Sequence, residues 1–177
     1  MSESTATTPA KVALNFGVLL GILSIVQSVV EYVTNTNIDR GWVNSLVGFA
    51  ILIGVIVYAL KTYKSGNGGF MSLSEALKTG MGTAAIGGLI GAVYFYLFVS
   101  FIEPTFIDQM MEAQREAMIE QNANMTQEQM DQAMTMTARF MQPWFMATIA
   151  LVFTLFFGFI VSLIAGLIMK RENPYQE

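Results

Sequence analysis

Residues 79–102 read TGMGTAAIGGLIGAVYFYLFVSFI, an unbroken stretch without a single charged side chain. At about 1.5 Å per residue such a run outreaches the roughly 30 Å of a bilayer's hydrocarbon core. Lipid offers no partner to an exposed amide, so the segment satisfies its backbone internally and is predicted to be a helix. Its small residues recur every four positions, at Gly80, Ala84, Gly88 and Ala92, with Gly87 and Gly91 beside them. Rows of this kind let helix backbones approach closely where hydrophobicity supplies no association. The stretch therefore reads as one member of a bundle, not as a lone anchor.

Three further apolar runs, Val12 to Val33, Trp42 to Leu60 and Trp144 to Met169, supply the other members. Gly17 and Gly21 in the first, and Thr154, Gly158, Ser162 and Gly166 in the last, repeat the four-residue spacing. Because one chain holds several complementary faces, packing within the chain is the favoured use of these rows, with a homo-oligomer as the alternative. The first run is longer than a signal-peptide core of about 7–15 residues and no A-x-A site follows it, so it is expected to be retained.

Composition agrees. Of 177 residues, 54% are hydrophobic and only 12% charged, against roughly 25% charged in soluble domains. The mean hydropathy is +0.52. The length suits a single membrane domain over 1–177. Cysteine and histidine are both absent, which removes disulfides, thiolate nucleophiles, imidazole bases and histidine metal sites together. No metal or other cofactor is expected. Nine basic residues and a net charge of −4 leave no stripe for nucleic acid.

The charges are sorted by side. With four crossings, Lys11, Lys61, Lys64, Lys78, Lys170 and Arg171 fall on one face of the membrane and Arg40, Arg115 and Arg139 on the other. The positive-inside bias then places both termini and the turn 61–78 in the cytoplasm. Most of the acid lies opposite, including Asp39, Glu103, Asp108 and Asp131. Trp42 and Trp144 mark one interface and Tyr58 and Tyr63 the other.

The segment 103–143 is the one sizeable polar stretch. Pro104 interrupts the preceding helix, Thr105 with Asp108 reads as a cap, and Met110, Met111 and Met118 follow at helical spacing. After QNANMT, Thr126 and Gln129 form a second capping box, ahead of Met130, Ala133, Met134, Thr137 and Met141 on one face. An amphipathic helical hairpin on the periplasmic side is expected. Its outward-facing Glu112, Glu116, Glu120 and Glu128 are the candidate partner surface.

Chemistry has few places to reside. In GNGGFMSLSEALKTG, residues 66–80, Ser72 and Glu75 fit the S-x-x-E capping box. A helix start explains most of this stretch, and the P-loop pattern is not matched. The alternative is an anion or lipid-headgroup site from Ser72, Ser74, Lys64 and Lys78, since a helix N-terminus attracts phosphate. A Ser74–Lys78 catalytic pair is the weaker variant of that idea. Asn15, Gln27 and Glu31 make the first helix the most polar of the four, and an intramembrane carboxylate is a transport candidate. Glu31 sits near the end of its run, however, where snorkelling to water is cheap. The methionine-rich 110–146 region offers soft ligands for Cu(I) or, more simply, flexible core fillers. NMT at 124–126 matches a glycosylation sequon that only a eukaryotic secretory host would use.

GGFMSLSEALKTG, FIEPTFIDQMMEAQREAMIEQ and MTARFMQPWFMA, in this order between membrane helices, resemble the DUF4199 family of small membrane proteins from Bacteroidota. The likeness covers nearly the whole chain, departing where the family more often has aromatic residues near Leu73 and Leu77 and glycine at position 74. It implies a bacterial inner-membrane protein without an established catalytic residue, and a membrane partner such as a glycosyltransferase. The expectation is a non-enzymatic accessory or scaffold protein. The alternatives are a small transporter or channel component using Glu31, and a subunit of an enzyme acting on an envelope glycan or lipid-linked substrate.

Overall fold

The computed structural model describes residues 7–34, 36, 42–122 and 125–172, apart from the Trp42 side chain. Asp39, Arg40, the Trp42 ring and the sequon's Asn124 lie outside the described residues. Among the described residues six α-helices form: α1 (Pro9–Val33), α2 (Trp42–Gly66), α3 (Leu73–Leu97), α4 (Phe106–Gln121), α5 (Gln127–Phe140) and α6 (Pro143–Met169). Four of them, α1, α2, α3 and α6, are long and apolar enough to cross a membrane. The chain is thus built as a multi-pass membrane protein.

Helices overrun the apolar runs that announce them. Thr8 caps α1 by accepting from the Lys11 amide, with Pro9 in the first turn, where its missing N–H costs nothing. The segment 61–78, read as a turn, is helical except at 67–72, because α2 continues through Gly66 and α3 begins at Leu73. Gly68 and Gly69 turn the chain there at φ of 65° and 85°, a region that residues with a Cβ disfavour. At its far end α3 widens into a π-helical turn over Phe98–Ile102 before Pro104, and the Glu103 amide closes that turn on the Phe98 carbonyl at 2.8 Å. The expected Thr105 cap does not form. Thr105 already has helical φ and ψ, and its hydroxyl donates to Glu103 instead.

The helix α3 is the centre of the bundle. Against the parallel α1, the site of a Cβ on Gly17 lies 2.6 Å from Ile86 Cβ, and that on Gly21 lies 2.7 Å from Ile90 Cβ. Reciprocally, a Cβ on Gly87 would meet Leu20, and one on Gly82 would meet Ala13 Cβ at 2.8 Å. Against the antiparallel α6, Gly80 faces Ser162, Ala84 faces Gly158, Gly88 faces Thr154 and Ala76 faces Gly166. Each step of four along α3 is matched by a step of four back along α6. The four-residue rows are therefore spent inside the chain, as internal packing requires. Fully buried Ile56 of α2 closes this core, reaching both Gly80 and Gly158.

One end of the bundle holds the start of α1, the α2–α3 turn and the end of α6; it is called the terminal end. The other, the hairpin end, leads into α4 and α5. Burial is uneven between them. From α2, every buried residue lies between Leu52 and Tyr63, and none between Val43 and Ile51. The buried residues of α1 stop at Gly21, and α6 has none from 148 to 157.

Candidate functional site

At the terminal end the 66–80 stretch is tied down by its own side chains. The Ser72 hydroxyl accepts from the Glu75 amide at 3.2 Å, while Glu75 Oε2 accepts from the Ser72 amide at 2.7 Å, completing the capping box. The Tyr63 hydroxyl, reaching from α2, donates to Glu75 Oε1 at 2.6 Å. Lys64 Nζ donates to the Met169 carbonyl at 2.7 Å, a cation placed on the unpaired acceptors that end α6. Met71 and Arg171 exchange backbone hydrogen bonds of 2.8 and 2.9 Å, and the Arg171 guanidinium lies 5.4 Å from the centre of the Phe70 ring. Of the four anion-site candidates, the fold commits Ser72 to a cap and Lys64 to a helix end. Ser74 and Lys78 stand exposed on the first turns of α3.

At the hairpin end, two of the polar residues of α1 come together. Gln27 Nε2 donates to Glu31 Oε1 at 2.9 Å and to the Asn44 carbonyl of α2 at 3.1 Å. Asn44 Nδ2 in turn donates to the Thr36 carbonyl at 3.1 Å. Asn15, the third, is exposed on the outside of α1 near the terminal end. It does not join the group.

Below this cluster lies a cavity of about 630 Å³ to which all four long helices contribute. Gly87, Gly88, Gly91 and Ala92 form its α3 wall, opposite Ser45 and Gly48 of α2. A Cβ on Gly91 would find nothing within 4 Å. The two other hydroxyls in the wall are satisfied on their own helices, Ser24 by the Leu20 carbonyl at 2.9 Å and Thr154 by the Ala150 carbonyl at 2.9 Å. Phe49 of α2 meets Phe157 of α6 edge-on, with ring centres 4.8 Å apart.

The helices α4 and α5 pack on each other. Phe106 and Met130 are buried, Met110, Met118, Met134 and Met141 half-buried, and Glu112, Glu116, Glu120 and Glu128 exposed. Thr126 and Gln129 form the second capping box as read from the sequence. A cluster of Phe98, Val99 and Phe106, flanked by Tyr94, Phe95, Ile107 and Met110, joins α4 to the end of α3. Beside it the Tyr32 hydroxyl donates to Glu103 Oε2 at 2.8 Å. The Glu103 carboxyl is held below the usual carboxylate range, first by the Thr105 hydroxyl and then by that of Tyr32.

Among the features that escaped the reading of the sequence are the Tyr63–Glu75 and Tyr32–Glu103 pairs, the Met71–Arg171 bridge and the cavity. The pairs join residues 12 and 71 positions apart, which no local spacing signals. The cavity gave no local signal either, since Gly91 follows Gly87 at the same four-residue step as its packed neighbours.

No curated protein and no solved structure matches the chain. The model of the family described as "Protein of unknown function (DUF4199)" matches residues 15–171, a span that takes in α1 from Asn15 onward and the whole of the other five helices. The chain belongs to the DUF4199 family.

Proposed function

We propose that this is a non-enzymatic accessory or scaffold protein of a bacterial inner membrane, with both termini in the cytoplasm and α4–α5 in the periplasm as the partner-binding element. The observation that carries the reading is the acidic face of that helix pair. Glu112, Glu116 and Glu120 are exposed at successive four-residue steps of α4, with Glu128 exposed on α5. Like charges at this spacing repel by a few tenths of a kcal/mol per pair, a cost that a basic partner would relieve. The lysine distribution supports the orientation, every lysine belonging to the terminal end. The resemblance supports the bacterial envelope and a membrane enzyme, such as a glycosyltransferase, as partner.

Two experiments test this. A reporter active only in the periplasm should be active when fused after Asn122 and silent when fused after Asn67. Purification from native membranes in mild detergent should then retain a stoichiometric partner. Replacing all four glutamates with lysine should release it without lowering thermal stability. A partner retained by the reversed-charge variant would refute the docking surface, and proton or ion flux from the pure protein in liposomes would favour the transport alternative.

A further inference from the structure

The cavity at the hairpin end is the feature that the scaffold reading leaves unused. Its volume falls within the roughly 300–1,000 Å³ of sites that take small ligands, whereas packed interiors carry few voids larger than a water molecule. Water is a poor occupant. A buried water needs about two to four polar partners, and of the three hydroxyls in the wall those of Ser24 and Thr154 already donate to their own helices, with Ser45 at the exposed mouth. What the walls offer is apolar surface and glycine backbone.

The route in is lateral. Among the lining residues, Ser45 and Phe49 on α2 and Ala150 and Phe153 on α6 are exposed, so the opening lies between α2 and α6, facing the hydrocarbon of the bilayer. Toward the terminal end the Phe49–Phe157 contact and buried Leu52 close it. The opening faces hydrocarbon, and a lipid chain is the apolar group that the bilayer supplies there. On the side away from the closure stands the polar group of Gln27, Glu31 and Asn44, and Gln27 is within 3.6 Å of where a Cβ on the lining residue Gly48 would stand. The arrangement is that of an amphiphile: an apolar slot inside and, above it, the side-chain carbonyl oxygens of Gln27 and Asn44 as acceptors, the Gln27 amide protons being taken by Glu31 and the Asn44 backbone carbonyl.

We propose that the protein binds one bilayer lipid, a hydrocarbon chain entering between α2 and α6 to fill the cavity beside Gly91 and a polar headgroup lying at Gln27 and Asn44. This holds whether or not α4–α5 docks a partner.

The test uses the full chain, delipidated and reconstituted with phosphatidylglycerol spin-labelled along one acyl chain. Electron paramagnetic resonance should show an immobilised component that saturates at a single label per chain. Gly91→Phe would place a ring in the slot from a Cβ that itself meets no neighbour and should abolish that component; the milder Gly91→Leu should weaken it. Gly54→Phe, at a position that also has nothing within 4 Å but lies outside the cavity wall, should leave it unchanged. The unfolding temperature of each variant in detergent shows whether it is folded. An immobilised component equal in wild type and a folded Gly91→Phe or Gly91→Leu variant would overturn the proposal. So would a wild-type dimer that excludes the label and that Gly91→Phe dissociates, because a second copy would then fill the slot.

Discussion

Glycine does opposite things at the two ends of this bundle. Toward the terminal end the small residues of α3 are in direct contact with the helices they face, as Gly80 is with Ser162 and Gly82 with Ala13. Toward the hairpin end Gly91 and Ala92 line a cavity to which α2 brings the small residues Ser45 and Gly48. The lesson is that a row of small residues brings helices together only where one of the two facing helices fills the space the other leaves. Where neither does, the same residues hold a space open.

Substitutions at the two kinds of glycine separate these roles most strongly. A Cβ on Gly80 would stand 2.7 Å from Ser162 Cβ, so Gly80→Ala forces α3 and α6 apart and should cost about 1–3 kcal/mol. Gly91→Ala meets nothing and should instead gain about 0.5–1 kcal/mol, the helix-interior difference between the two residues. Unfolding of both variants in detergent checks the pair, and equal losses would break the distinction between the two ends.

The capping box gives a smaller effect at the packed end. Ser72→Ala should lower stability by about 1 kcal/mol, while Lys78→Ala, at an exposed position, should leave it unchanged. If Lys78→Ala removed cellular function from a folded, normally abundant protein, the exposed pair Ser74 and Lys78 would gain weight as an anion or lipid-headgroup site.

The smallest effect is at the hairpin end and depends on pH. Glu103 titrates below its unfolded value, so the stabilisation it lends is complete above the unfolded pKa and is lost as pH falls through the folded one. Because Thr105 is the larger cause and Tyr32 the smaller, Thr105→Val should raise the Glu103 pKa more than Tyr32→Phe. Carboxyl carbon chemical shifts followed through an acid titration would read this order, and the reverse order would show Tyr32 to be the main tether.

Much of the architecture was legible because lipid narrows the options. An uncharged run of the right length has one way to satisfy its backbone, which is why all four long helices were readable. Capping boxes are local, and both Ser72–Glu75 and Thr126–Gln129 form as their spacing indicates. Thr105 shows the limit of that logic. Its hydroxyl had a competing acceptor two residues back in Glu103, and the neighbouring π turn sets the backbone there. The cavity was not legible from spacing, because the rows at Gly88 and Gly91 look alike until one knows that Leu151 and Thr154 face the first and nothing faces the second.

The evenness of the α3–α6 seam carries a hazard. Slide α6 by one turn, about 5.4 Å, and Gly80 comes opposite Gly158 or Gly166, and Ala84 opposite Thr154 or Ser162. Every such neighbour is again small, so the seam is nearly as content one notch away, like a ratchet with identical teeth. Only contacts that do not repeat tell the notches apart. The antiparallel bridge of Met71 with Arg171 continues the seam five residues beyond Ala76 and Gly166, and Lys64 grips the Met169 carbonyl beside it. This clasp is the pawl: it lies at the very end of the described chain, and it selects one notch for a helix pair whose own faces would accept three.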